Sequence, residues 1–469
     1  MTTPQCDLGM IGLGVMGSNL VLNMADHGFT IAGYDAQAEK GEALRAQQHP
    51  RVRVVDNLPE LLAALKPPRR VMLMVPAGKP VDSVIQTLLP QHAPGDIVID
   101  GGNSHFTDTN ARQQQLAAQQ VDFLGVGISG GEEGARRGPC IMPGGAPAAY
   151  RQVQAIFEAI AAHVADEPCV TYLGPGSAGH YVKMVHNGIE YGVMEIIAES
   201  YDLLKRGLGF TNDALQALYA EWSAAELNGF LLEITATIFQ KQDPLTGGRL
   251  IDQIRDVARQ KGTGMWASQD AMSLHAPVPL IDTAVEMRDL SALESERNTA
   301  RKLLGGPAMA PIAKRAAFVG QLRGAVYGAM LLAYAQGMRQ LYAASATYHY
   351  ALPLGRIARI WRGGCIIRAS LLEKISAAYE HDAQLVNPLF DGDIAREVTA
   401  RQQDLRAVVA QAAQWGIPTA ALSSALAYYD ALRSPSLPTN LIQAQRDFFG
   451  AHTYERIDRE GVFHTEWEG

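Results

Sequence analysis

The sequence predicts an α/β Rossmann-type N-terminal domain, a large all-α domain that is itself duplicated, and a C-terminal tail. Three observations carry this expectation. Through the first part of the chain, short apolar runs alternate with amphipathic segments, the rhythm of βαβ units around a parallel sheet. Past residue 178 that rhythm stops, and Ala-, Leu- and Gln-rich stretches with helical periodicity take over. The last segment is polar and aromatic, opens with Pro435 and Pro438, and is too short to bury a core of its own. The expected boundaries are therefore 1–178, 179–433 and 434–469.

Strands are expected at 8–13, 30–34, 52–55, 71–75, 97–100 and 123–126. Directly after the first comes Gly12-Leu13-Gly14-Val15-Met16-Gly17, followed by a helix from about Met16. The first glycine permits the turn, the second lets backbone approach a pyrophosphate, and the third lets helix and strand pack closely. Asp35 follows at the end of the second strand, 23 residues after Gly12. A carboxylate there accepts hydrogen bonds from the adenosine ribose of NAD and repels the 2′-phosphate of NADP; no cation follows until Lys40. The cofactor expected from these residues is NAD, with NADP the weaker alternative. Asp35 also suits the cap of a helix over 36–47, and the two roles are compatible.

The helical region contains an internal echo. Tyr191-Gly192-Val193-Met194 recurs as Tyr327-Gly328-Ala329-Met330, Trp222 as Trp361, and Leu231-Leu232-Glu233 as Leu371-Leu372-Glu373, at offsets of 136, 139 and 140. Near-constant offsets point to a repeated helical half-domain. The charge-poor stretch 407–429 is interrupted by Gly416-Ile417-Pro418, so it reads as two buried helices and not a membrane span.

Composition narrows the function. The chain has 469 residues, 47% of them hydrophobic, which excludes wholesale disorder and fibrous classes. With 40 basic and 48 acidic residues, the net charge of −8 argues against bulk nucleic-acid binding. An anionic ligand would need local cations and helix ends. The four cysteines, Cys6, Cys140, Cys169 and Cys365, have no metal-ligand spacing, so no metal is expected and a reducing, cytoplasmic setting is. Residues 1–7 lack the basic start and apolar run of a secretion signal.

The start of the second domain carries unusual chemistry. On a helix, Lys183, Asn187 and Glu190 fall on one stripe flanked by His186 and Tyr191, while Val182, Met184, Val185 and Ile189 form the apolar side. Lys and Glu on one helix face usually form a solvated ion pair. Burial would instead lower the lysine pKa and raise that of the glutamate, making a base and an acid.

Together with Asp100-Gly101-Gly102-Asn103, Ser129-Gly130-Gly131-Glu132-Glu133-Gly134, Lys261-Gly262-Thr263-Gly264-Met265-Trp266 and the run from Asn440 to Thr453, this helix resembles the decarboxylating 6-phosphogluconate dehydrogenases of the β-hydroxyacid dehydrogenase superfamily. The resemblance covers essentially the whole chain. It implies oxidative decarboxylation of 6-phosphogluconate to ribulose 5-phosphate in the pentose phosphate pathway. Lys183 would be general base at the C3 hydroxyl and Glu190 the acid that protonates C1. Asn103, Ser129, Gly130, Gly131, His186 and Asn187 would hold the carboxylate and hydroxyls. Tyr191, Lys261, Thr263, Arg288 and Arg446 would hold the phosphate, with His452 nearby. The cofactor would lie along residues 12–17, Asp35, Val75, Pro76, Ala77 and Asn103. The resemblance also implies a homodimer, or pairs of dimers, in which the tail's Arg446 and His452 complete the neighbouring subunit's site.

Two positions depart from the family pattern toward NAD. Asp35-Ala36-Gln37 stands where many members have Asn-Arg-Ser/Thr, and Val75-Pro76-Ala77 where they have Val-Lys-Ala. Arg259 is a further departure that the sequence leaves unexplained. The rival expectations are a dehydrogenase for an unphosphorylated β-hydroxyacid, which would not need Lys261, Arg288, Arg446 and His452, and a silent nucleotide sensor on the same fold.

Overall fold

The computed structural model describes residues 5–468. Residues 1–4 of the N-terminal stretch and residue 469 of the tail lie outside the described residues. Seven strands, β1 (Leu8–Ile11), β2 (Ile31–Tyr34), β3 (Val52–Val54), β4 (Arg70–Leu73), β5 (Ile97–Asp100), β6 (Asp122–Ser129) and β7 (Cys140–Gly145), form one sheet in the order β3-β2-β1-β4-β5-β6-β7. The first six are parallel and are the six the sequence predicted, with ends moved by a few residues. β7 runs antiparallel on β6 and was not expected, because Pro143 and two glycines disguise it; an edge strand tolerates a proline that cannot donate to a ladder.

The connecting helices are α1 (Val15–Asp26), α2 (Ala38–Arg45), α3 (Leu58–Ala63), α4 (Lys79–Leu88), α5 (Phe106–Ala117), α6 (Gly131–Arg137) and α7 (Pro147–Ile160). A small hairpin, β8 (His163–Val164) and β9 (Glu167–Pro168), closes this part. The strand order reverses between β1 and β4, so a crevice opens beyond their C-terminal ends, where ligands of such sheets bind.

Helices then take over as expected: α8 (Ala178–Asp202), α9 (Asn212–Ser223), α10 (Phe230–Gln240), α11 (Thr263–Ser273), α12 (Pro279–Ala292), α13 (Glu294–Leu303), α14 (Arg315–Thr347), α15 (Leu354–Ile360), α16 (Leu371–His381), α17 (Gly392–Trp415) and α18 (Ala420–Arg433). Long, apolar α14 has the length to cross a bilayer, but it packs between α8 and α17 with Ala325 through Met338 buried. α17 stops where the sequence places a break, on Gly416 in the left-handed region (φ 66°). The echoed motifs fall on corresponding elements, α8-α9-α10 and α14-α15-α16. Phe230 N–H donates to Arg368 O (3.0 Å) and Ser370 N–H to Asn228 O (2.9 Å). These reciprocal bonds join residues standing at the same 140-residue offset, 228 with 368 and 230 with 370, so the two halves meet about a local two-fold relation.

The tail forms α19 (Thr439–Gly450) and the hairpin β10 (Tyr454–Glu455) and β11 (Val462–Phe463). Its organising residue is Asp447, fully buried, which accepts hydrogen bonds from Thr453 N–H, Thr465 N–H, Trp467 Nε1 and His464 Nδ1 at 2.9–3.0 Å. Leu441, Ile442, Phe448 and Phe449 remain more than half exposed on this segment.

Candidate active site

The nucleotide crevice is built by exclusion of side chains. A Cβ on Gly17 would lie 1.9 Å from Gly12 O, and one on Gly12 would lie 2.4 Å from Met74 O. Those two glycines seat α1 against the loop; Gly14, the residue preceding α1, has open space around it. No side chain caps α1 and no carboxylate sits in its first turn, so its free N–H groups face the opening, as a diphosphate requires. The residues present therefore fit a dinucleotide. Leu13 is buried, while Val15 is exposed and Met16 packs partly on the core.

Asp35 accepts Leu13 N–H (2.7 Å) on one oxygen and Gln37 N–H (2.9 Å) on the other. It thus braces the glycine loop and turns the chain into α2, which begins at Ala38, two residues later than expected. Lys40, the first cation to follow Asp35 in the chain, is brought near it by α2, with Nζ 3.9 Å from the carboxylate.

The second site lies between the domains, a cleft of about 840 Å³. From the sheet side it is lined by Pro76, Ala77, Gly78, Gly102, Asn103, His105 and Asp108; from the helical side by Lys183, Asn187, Glu190, Tyr191, Arg259, Gln260, Lys261, Thr263, Trp266 and Arg288. α8 reaches this position because it lies directly on the sheet. A Cβ on Gly179 would meet Gly125 O and Met142 O at 2.3 Å, and one on Gly127 would meet Lys183 Cβ at 2.5 Å. Any larger residue would lift the helix and its lysine from the strand ends.

Within the cleft the predicted stripe is assembled. Lys183 Nζ donates to Asn187 Oδ1 (2.7 Å) and lies 3.3 Å from His186 Nδ1, and Glu190 Oε2 lies 3.9 Å from the same ring nitrogen. Burial pulls the lysine pKa below its ordinary value, only partly opposed by the charge of Glu190. Burial also lifts Glu190, against the cations Lys183 and Arg288. His186, fully buried, is held well below the usual histidine range by burial and then by the Lys183 charge, so it stays neutral. With Lys183 and His186 buried, this face is not the solvated ion-pair surface that Lys and Glu ordinarily form.

Asn103 sits in the left-handed region (φ 55°), its amide clamped to both Ile128 N–H (3.0 Å) and Ile128 O (3.2 Å). The Arg288 guanidinium carbon lies 3.4 Å from the centroid of the buried Tyr191 ring. With Lys261, and with Arg259, whose presence the sequence left unexplained, Arg288 brings three cations to the cleft lining, beside Thr263.

The remaining expected residues take the following places. Ser129, expected to help hold the carboxylate and hydroxyls, is buried with its Oγ 3.3 Å from His186 Nε2. Gly130 makes its close approach to protein: a Cβ there would meet Gly364 O at 2.6 Å, so its missing side chain lets the two domains touch, while Gly131 has open space. Val75 packs behind the glycine loop and not on the cleft. Arg446 and His452 are exposed on the tail and outside this chain's own cleft, which is compatible with the expectation that they serve a neighbouring subunit; Arg446 donates to Gln443 (3.1 Å). Sequence reading missed His105 and Trp266, whose rings meet edge-on at 4.9 Å across the cleft. A histidine just beyond Asn103 and a tryptophan just beyond Thr263 were the available signals.

Comparison with known proteins agrees with this geometry. Residues 7–174 match the family model described as the NAD binding domain of 6-phosphogluconate dehydrogenase, and residues 179–467 that of its C-terminal domain. The chain is 50% identical to the decarboxylating 6-phosphogluconate dehydrogenase of Synechococcus elongatus over 464 residues, 98% of each chain. It is 49% identical over 462 residues, again 98% of each, to a Bacillus subtilis relative whose name specifies NADP(+) dependence. The fold superposes with a TM-score of 0.95 on Plasmodium falciparum 6-phosphogluconate dehydrogenase, described with NADP+ and with 6-phosphogluconate; identity is 42%, covering 98% of this chain and 100% of that one. The chain belongs to the decarboxylating 6-phosphogluconate dehydrogenase family.

Proposed function

We propose the following division of labour for the oxidative decarboxylation of 6-phosphogluconate that this chain catalyses. Lys183, biased toward its neutral form by burial, takes the proton of the C3 hydroxyl. The nicotinamide, when bound, supplies the hydride acceptor. The resulting 3-keto acid loses CO2 as electrons move into its carbonyl, and the ammonium now at Lys183 stabilises the developing enolate oxygen. Glu190, biased toward its protonated form, delivers a proton to C1 of the enediol. Asn103, His186 and Asn187 orient the acid end, with Ser129 fixing His186 from behind; Tyr191, Lys261, Thr263 and Arg288 receive the phosphate. The observation that carries this reading is the Lys183–Asn187–Glu190 stripe opening onto the same cleft as those cations.

The reading extends to cofactor, partner and setting. NAD is the preferred cofactor, supported by Asp35 at the loop, whereas NADP is named for the Bacillus and Plasmodium relatives. Lys40, beside Asp35, supports residual use of NADP. The apolar, exposed tail supports a homodimer in which Arg446 and His452 complete the partner's phosphate site. The boundaries 1–178, 179–433 and 434–469 follow the change from strands to helices and the tail's separate organisation. Four free, buried cysteines support a cytoplasmic setting. Initial rates with 6-phosphogluconate and each cofactor test the cofactor assignment. We expect higher kcat/KM with NAD, and Asp35→Asn should narrow the ratio about tenfold, the equivalent of one charge-assisted hydrogen bond. A wild-type preference for NADP would overturn it.

A further inference from the structure

Arg112, on α5, is a buried cation that does not itself line the cleft, yet its guanidinium holds together two loops of the cleft's sheet-side wall. Nη2 donates to Gly78 O (3.1 Å), on the loop that follows β4 and lines the cleft. Nε donates to Asp82 (2.7 Å) in the first turn of α4. Nη1 donates to Ser104 Oγ (2.9 Å) and to Asp100 Oδ2 (3.2 Å), at the end of β5.

Asp100 carries the connection onward. It is fully buried; Oδ1 accepts Gly102 N–H (2.9 Å) and Oδ2 accepts Ser104 Oγ–H (2.6 Å), which together shape the turn that places Asn103 in its left-handed conformation. The carbonyl of Asp100 lies 3.0 Å from His180 Nε2, and Thr109 Oγ1 lies 2.6 Å from His180 Nδ1. His180 stands on α8, one turn before Lys183. One guanidinium therefore connects the Pro76–Gly78 loop, the Asn103 loop and the base-bearing helix through a chain of hydrogen bonds.

We infer that Arg112 is a positioning residue that sets the distance between the hydride donor and acceptor, by clamping the loop on the cofactor side to the loop on the substrate side. The inference rests on the assignment of those two loops in the proposed function. A lysine at this position keeps the charge but cannot reach four acceptors in a plane, so geometry is lost while the buried carboxylate stays neutralised. Hydride transfer is sensitive to such loss, because a displacement of about 1 Å can cost on the order of 100-fold in rate.

The experiment compares wild type, Arg112→Lys and Ser104→Ala as full-length chains, using substrate with hydrogen or deuterium at C3. For Arg112→Lys we expect kcat per folded active site to fall about tenfold or more, with the substrate KM changed less than about threefold and a larger deuterium effect on kcat/KM. Ser104→Ala removes two hydrogen bonds of this network, the one from Arg112 and the one to Asp100, but leaves the Arg112–Asp100 ion pair in place; it should show the same pattern in smaller degree. A lowered Tm with normal kcat and an unchanged isotope effect in both variants would reduce Arg112 to a structural ion pair and overturn the inference. Failure of the loop assignment would register separately, in a chain that keeps Arg112: Asn103→Ala would then leave the substrate KM unchanged.

Discussion

Two carboxylates removed from bulk water, the half-buried Glu190 in the cleft and the fully buried Asp447 in the tail, are treated by the fold in opposite ways. Glu190 has no hydrogen-bond donor on its carboxylate among the described residues, only a histidine nitrogen at 3.9 Å, and burial raises its pKa against the pull of Lys183 and Arg288. Asp447 suffers the same desolvation, but hydrogen bonds from His464, Thr465, Trp467 and Thr453 outweigh it and hold the carboxyl down to about 2. The first arrangement costs stability and yields a group that carries a proton where an ordinary glutamate has lost it; the second gives a small segment its shape. The cleft is thus a functional site strained by burial, whereas the tail is locally satisfied and leaves its cations and apolar side chains facing outward.

The largest expected effect breaks the cleft alone. Lys183→Met should lower kcat by about 1,000-fold or more, the weight of a general base, while calorimetry still detects substrate binding, because the phosphate cations are untouched. Near-normal kcat would remove Lys183 from its role. Arg446→Ala probes the tail: KM should rise about 10- to 100-fold with little change in kcat, since phosphate contacts are remote from the reacting carbons. Mixing it with Lys183→Met, after dissociation and reassociation, should regain activity, because one site of each hybrid dimer then has both an intact base and an intact partner tail. Absence of recovery in verified hybrids would place Arg446 outside the neighbouring site.

The smallest effects sharpen the contrast between the carboxylates. Glu190's raised pKa means the native state keeps a proton that the unfolded chain releases. Its contribution is present below the unfolded glutamate pKa and is lost as pH rises through the folded one. Glu190→Gln should therefore be relatively more stable than wild type at alkaline than at acid pH, though with lower kcat. Asp447 has the reverse sign: its contribution is present above the unfolded aspartate pKa and is lost as pH falls toward about 2. Asp447→Asn should loosen the tail at neutral pH, read as faster proteolysis after Arg433 with the Tm of the remaining protein little changed. Equal pH dependence in the two variants would contradict the comparison.

Much of this was legible locally. The strands, the glycine turn and the break at Gly416 are each encoded within a few residues, and helical periodicity alone put Lys183, Asn187 and Glu190 on one stripe. β7 was hidden because its proline and glycines have no strand signal of their own; pairing with β6 makes them a strand. Ser129 and Gly130 are small enough for any close approach, and only the fold shows that they also meet His186 and Gly364.

Local sequence thus encodes the change from strands to helices, the nucleotide fingerprint and the Lys183–Asn187–Glu190 stripe, since these depend on residues close in the chain. Only the tertiary structure decided which groups are desolvated, that Lys40 sits beside Asp35, that His105 meets Trp266, and that Arg112 joins two loops. Burial and long-range hydrogen bonding are properties of the packed chain, and a pKa or a clamp exists only once distant segments have excluded water together.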